Sequence, residues 1–152
     1  MCQVRALPEQ PTAVRRTRLR PEQLVDWVPS ACAAVAEQLR HHDIAPVGFP
    51  FARWRTMSDG VIEAEAGFPV SAPIPANTPI EQSVLPGGPV VAVWHTAPDE
   101  KLDLTYQAIE HWLEADDAIA SGDSWEIYHD LPVCDHVGNR IEVIQPITFA
   151  PA

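Results

Sequence analysis

The sequence predicts an α+β fold built from a tandem βαββ repeat: an antiparallel sheet, two main helices and a cleft between the repeats. Three observations predict it. Leu7-Pro8-Glu9-Gln10-Pro11 returns as Leu85-Pro86-Gly87-Gly88-Pro89, 78 residues later. Residues 62–70 align with 139–147 at an offset of 77, which sets Glu65 against Glu142 and Pro69 against Pro146. Each half also shows one order of elements: strand, Pro-marked turn, extended run, helix and two closing strands. A recurring order at a fixed offset is the signature of a duplicated unit.

In the first half, strands are predicted over 3–7 and 12–19 on either side of the proline turn. A helix follows because Leu24, Val28, Ala31, Val35 and Leu39 recur every three or four residues. Pro21 suits its first turn, whereas Pro29 predicts a kink or a fresh start, since proline removes a helical hydrogen bond. Strands over 46–56 and 61–70 are joined by Met57-Ser58-Asp59-Gly60, a hairpin turn. The proline-rich stretch 71–79 is a stiff linker.

The second half repeats this with strands over 79–85 and 90–95, the latter the β-rich Val-Val-Ala-Val-Trp-His. Leu102, Tyr106, Ile109 and Leu113 mark the next helix. Pro98, Asp99 and Glu100 open it against the positive end of its dipole, and Gly122 is expected to end it. Strands over 124–130 and 140–148 close the copy around a longer loop. Neither copy covers its own sheet, so residues 1–152 are read as one domain, with repeat one at 1–72 and repeat two at 79–152.

Composition narrows the function. The 152 residues are 46% apolar, with no run long enough for a bilayer and no leader-like start, so a cytoplasmic address is expected. Cys2, Cys32 and Cys134 lie far apart without a C-x-x-C pair, which argues against a disulfide framework. A net charge of −11 repels nucleic acid, and no helix-turn-helix is recognisable. Arg15, Arg16, Arg18 and Arg20 form the one basic cluster, read as a solvated strand face or as a docking patch for an acidic protein partner. With no phosphate loop and no G-x-S-x-G, no cofactor and no serine nucleophile are expected. His129, Cys134 and His136, with Asp130 and Asp135, lack the paired spacing of a zinc site, so no metal is predicted.

Chemistry concentrates in Trp125-Glu126-Ile127-Tyr128. On a strand these side chains alternate, placing Glu126 with Tyr128 and Trp125 with Ile127. Helices need an apolar partner face, so Trp125 and Ile127 are expected beneath them, leaving Glu126 and Tyr128 in the cleft. A carboxylate beside aromatic rings suits a hydrophobic cation. Partly desolvated, it also suits a general acid or base. Phe49, Phe51, Trp54, Phe68 and Trp94 lie on predicted strands near the cleft, while Trp27 and Trp112 sit on helices as core. Glu63 and Glu65 alternate with apolar residues, as the wet face of a strand does.

Four stretches carry a family resemblance: Phe51-Ala52-Arg53-Trp54; Glu65-Ala66-Gly67-Phe68-Pro69-Val70; Leu85-Pro86-Gly87-Gly88; and Trp125-Glu126-Ile127-Tyr128 with residues 141–147. In this order and spacing the chain resembles the GyrI-like family, related to the effector-binding domains of AraC-type and other drug-responsive regulators. The resemblance implies a small-molecule-binding protein for hydrophobic, cationic compounds, in sensing or multidrug and toxin sequestration. As the alternative it implies a hydrolase of electrophilic, cyclopropane-bearing toxins, and thirdly an inhibitor of a macromolecular partner such as DNA gyrase. On the motif match Glu126 is the buried glutamate, Tyr128 its hydrogen-bonding neighbour and Glu142 a second cleft acid. One departure stands out: Thr96-Ala97-Pro98-Asp99 replaces the family's Gly-Pro-Tyr-like turn, removing an aromatic. The regulators' DNA-binding domain has no counterpart here, so a stand-alone member is expected.

Overall fold

In the computed structural model, residues 2–75, 79–95, 102–129, 140–149 and 151 are described. The elements run β1 (Cys2–Leu7), β2 (Gln10–Leu19), a 3-10 turn (Pro21–Gln23), α1 (Leu24–His41), β3 (Phe51–Thr56) and β4 (Ile62–Pro69). They continue with β5 (Glu81–Leu85), β6 (Gly88–His95), α2 (Leu102–Ala115), β7 (Ala118–Ala120), β8 (Trp125–Tyr128) and β9 (Ile141–Phe149). Gly60 closes the β3–β4 hairpin at φ 83°, a left-handed backbone that glycine adopts without a Cβ clash.

The strands pair antiparallel in the order β1-β6-β9-β8-β3-β4-β2-β5, with β7 added on β9. This order reads alike from either end: the third and fourth strands of each half lie inside, and the first strand of each half pairs with the other half. At the centre β3 meets β8, with Phe51 opposite Ile127, Ala52 opposite Glu126 and Arg53 opposite Trp125. β1 lies at one edge, yet Gln10 opens β2, next to the far edge, after only Pro8 and Glu9. Strands sit about 4.8 Å apart, so a flat eight-strand path would be far too wide for that link. The sheet therefore curls until its edges approach, and Leu7 and Leu85 from the two edge strands pack on one cluster.

Both helices lie on one face. α1 packs on β2 and β4 through Val28, Ala31, Cys32, Val35 and Leu39. α2 packs on β6, β7 and β9, with Ile109 against Val91, Val93, Ile141, Val143 and Ile147. The seam between β3 and β8 is left open between them. On the other face the curl buries its own core of Val14, Phe51, Leu85, Val90, Ala92, Trp125 and Ile144 without a helix.

Three local expectations are corrected. α1 is one continuous helix from Leu24 to His41 with Pro29 inside it, so no fresh start occurs there. α2 ends at Ala115, not Gly122: Asp117 takes a left-handed φ of 52°, and the short strand β7 intervenes. Trp125 and Ile127 face the curled core, so it is Glu126 and Tyr128 that face the helices. Residues 96–101 and 130–139, which include Pro98, Asp99, Glu100, Asp130, Cys134, Asp135 and His136, lie outside the described residues.

Candidate ligand cavity

The open seam between the helices holds a cavity of about 280 Å³. α1 and the turn before it supply Pro21, Leu24, Val25, Val28 and Pro29; α2 supplies Leu102, Asp103 and Tyr106; the sheet supplies Trp54, Glu126, Tyr128 and Ile141. Exposed Val25 and Asp103 bring it to the surface.

Glu126 forms its floor and is only 4% exposed. The Tyr106 hydroxyl donates to Oε2 at 2.6 Å, and the Tyr128 hydroxyl donates to Oε1 at 3.0 Å. Among the described residues no cation pairs with this carboxylate. Burial pushes the Glu126 carboxyl above its ordinary range, and the two phenol hydrogen bonds oppose that rise. Burial first, and then the neighbouring Glu126 charge, raise both phenols, so Tyr106 and Tyr128 stay protonated donors. The result is a carboxyl group held by two fixed donors at the base of an apolar cleft. It can bind a positive charge, or pass a proton between itself and a bound molecule.

Of the residues singled out in the sequence, Glu126, Tyr128 and Trp54 meet in this cavity. Phe68 shares their face but packs beneath α1. Glu142, Phe49, Phe51 and Trp94 are not brought there. Phe51 belongs to the curled core on the opposite face. Glu142, 4% exposed, faces that side too, bonded by Arg5 and 3.2 Å from His129 Nε2. Phe49 and Trp94 flank the His129 ring at 4.6 and 4.5 Å between centroids. Glu65 is no wet-face residue: Arg16, Arg53 and Ser83 surround its buried carboxylate. All four arginines of the cluster are exposed, with Arg16 paired to Glu65 and Glu81 and Arg18 to Glu63. Tyr106 is the cavity residue that periodicity hid, because a helix position facing the sheet reads as core.

A curled antiparallel sheet with a cavity held between two helices defines a class of small-molecule-binding α+β domain. The chain belongs to the family of GyrI-like small molecule binding domains, whose profile matches residues 1–144. No curated protein matches it in sequence. Among solved structures, EcmrR in its DNA complex matches 99% of the chain with a TM-score of 0.80 at 15% identity. The chain spans 58% of that protein but 98% of the separate EcmrR C-terminal domain, which matches at a TM-score of 0.71 and 16% identity over 99% of the chain. SAV2435 bound to tetraphenylphosphonium matches 97% of the chain and 94% of its own length, at a TM-score of 0.63 and 11% identity. A hydrolase from Listeria innocua matches 97% of the chain and 91% of its own length, at a TM-score of 0.61 and 10% identity. At such identities the likeness is one of fold. Among the described residues, no helix is long and apolar enough to cross a membrane.

Proposed function

We propose that the chain binds a hydrophobic organic cation in the cavity over Glu126, in a sensing or sequestering role. One observation carries this reading: a carboxylate at 4% exposure, held by two phenols and lacking a counter-charge among the described residues. Burying a lone charge is costly. A lipophilic cation supplies the missing charge and sheds little hydration on entering an apolar cleft. Trp54 and Tyr128 add ring faces that attract it. The tetraphenylphosphonium bound by SAV2435, on the same fold, is the natural first probe.

The test is a titration of tetraphenylphosphonium followed by tryptophan fluorescence, since Trp54 lines the cavity. Glu126→Gln is expected to lower affinity about a hundredfold, roughly 3 kcal/mol. Uncharged triphenylphosphine oxide should bind wild type and variant alike. Equal losses for both probes would remove the charge argument.

The raised carboxyl also favours a second reading, hydrolysis of a strained electrophile. Glu126 would take a proton from water as the water oxygen bonds to the ring carbon, and the opened ring's carbon would receive that proton. Mass spectrometry separates the readings: a compound that gains one water with wild type, but not with Glu126→Gln, is a substrate rather than a passenger.

A further inference from the structure

The seam between β3 and β8 has two sides, and the second side is hollow as well. On the helix-free face a cavity of about 270 Å³ opens between the two proline turns and the approach to β3. Its floor is Phe51 and Trp125, 1% and 2% exposed. These neighbours across the seam point away from Glu126, because successive side chains on a strand alternate. Leu7 and Leu85, the last residues of the two edge strands, wall it, and exposed Phe49 stands at the mouth. The two cavities are thus back to back on one strand pair.

Their chemistry differs. Among the described residues no carboxylate lines the second cavity, and the ionisable group there, His129, has Nε2 turned 3.2 Å from Glu142 Oε1. Among the described lining residues a bound cation would meet no counter-charge, and an anion only a histidine already engaged. A charged guest would be desolvated without a partner, at a cost that area burial in so small a space does not offset. An uncharged ring can stack on the exposed ring of Phe49 at the mouth, where ring pairs gain beyond their buried area.

We infer that this cavity is a second binding site, for an uncharged aromatic compound, separate from the Glu126 cavity and on the opposite face of the sheet. The site needs none of the groups invoked for cation binding.

The test uses the full chain and N-phenyl-1-naphthylamine, a neutral probe that brightens on leaving water. One equivalent is expected to bind, with the same affinity in the presence of saturating tetraphenylphosphonium and in Glu126→Gln. Phe49→Ala, at an exposed position, should weaken the probe about tenfold by removing one ring face. Ile127→Trp should fill the cavity and abolish binding, with circular dichroism checking the fold; if that variant does not fold, Phe49→Ala and the competition carry the test. Displacement of the probe by tetraphenylphosphonium, its loss in Glu126→Gln, unchanged affinity in Phe49→Ala, or no binding by wild type would each overturn the inference.

Discussion

The α1 wall of the Glu126 cavity presents Leu24, Val25, Val28 and Trp54, and the α2 wall presents Leu102, Asp103, Tyr106 and Tyr128. These are matching places in a strand order that reads alike from either end. Leu24 and Leu102 open the two helices 78 residues apart, as Val28 and Tyr106 are. Trp54 and Tyr128 lie 74 apart on the two seam strands, and Ala52 sits directly opposite Glu126. One backbone arrangement thus carries an apolar wall and a polar one. Below the exposed rim pair of Val25 and Asp103, the difference lies in three places, where Tyr106, Glu126 and Tyr128 stand at the positions matching Val28, Ala52 and Trp54. The fold makes the hollow; those three residues of the second half make it acidic and fix the acid's orientation. A single acid near the symmetry axis also means one charge site per chain rather than two.

The largest expected effect comes from erasing this asymmetry. Ala52→Glu would place a second carboxylate opposite Glu126, at a position that is 0% exposed. Antiparallel partners have Cα atoms about 4.5–5.5 Å apart, so the two acids would share one site. An uncompensated buried charge costs roughly 3–5 kcal/mol. For a chain of this size that lowers Tm by on the order of 10 °C. Like charges disfavour ionisation, so the loss should be greater at pH 8 than at pH 5. Thermal melts at both values check this, and a variant that melts with wild type would show that the seam is wetter than its burial indicates.

A smaller effect, opposite in sign, follows from Glu126 itself. Its folded-state pKa is raised above the unfolded value, chiefly by burial. A group shifted that way contributes its stability below the unfolded pKa and loses it as pH rises through the folded one. At neutral pH the buried acid therefore costs stability in the absence of ligand, and Glu126→Gln should melt higher than wild type. A relief of about 1–2 kcal/mol corresponds to roughly 2–8 °C. The gap should close as pH falls towards about 4.3, the ordinary glutamate value. A constant gap from pH 4 to pH 8, measured by differential scanning calorimetry, would assign the change to packing instead of charge.

Much of this was legible in the sequence because period and punctuation are local signals. The two helices, the hairpin at Asp59-Gly60 and all the long strands follow from spacing and turn residues. Glu126 and Tyr128 followed from strand alternation together with the family motif. What alternation cannot tell is which face a helix covers. Their apolarity alone places Trp125 and Ile127 beneath the helices, yet the sheet curls and buries a helix-free core as well. A signal was present in neighbouring strands: Ala52, Ala64 and Ala66 are small, and small residues let a helix lie close, whereas Phe51 and Trp125 need the depth of the curled side. Glu65 misled for the same reason, since a charged strand face looks wet until arginines from two other strands fold over it. β7, with only three residues, is too short to leave a period, and it exists because β9 offers it an edge.

The smallest effect separates burial from mere charge. Asp103 lies at the rim of the cavity, three residues before Tyr106 and so on the same helix face, exposed and with no ion pair among the described residues. It carries the same formal charge as Glu126 and faces the same hollow, but water screens it. At such a site an attractive pair is worth about 0.2–1 kcal/mol, and salt reduces that further. Asp103→Asn should therefore lower tetraphenylphosphonium affinity by less than about fivefold, mainly through a slower association rate. The difference from wild type should vanish at high salt, whereas the deficit of Glu126→Gln should persist. Stopped-flow fluorescence at low and high ionic strength measures both. If Asp103→Asn instead cost as much as Glu126→Gln, the rim would be the anchor, and the cation would sit at the mouth of the cleft rather than on the buried carboxylate.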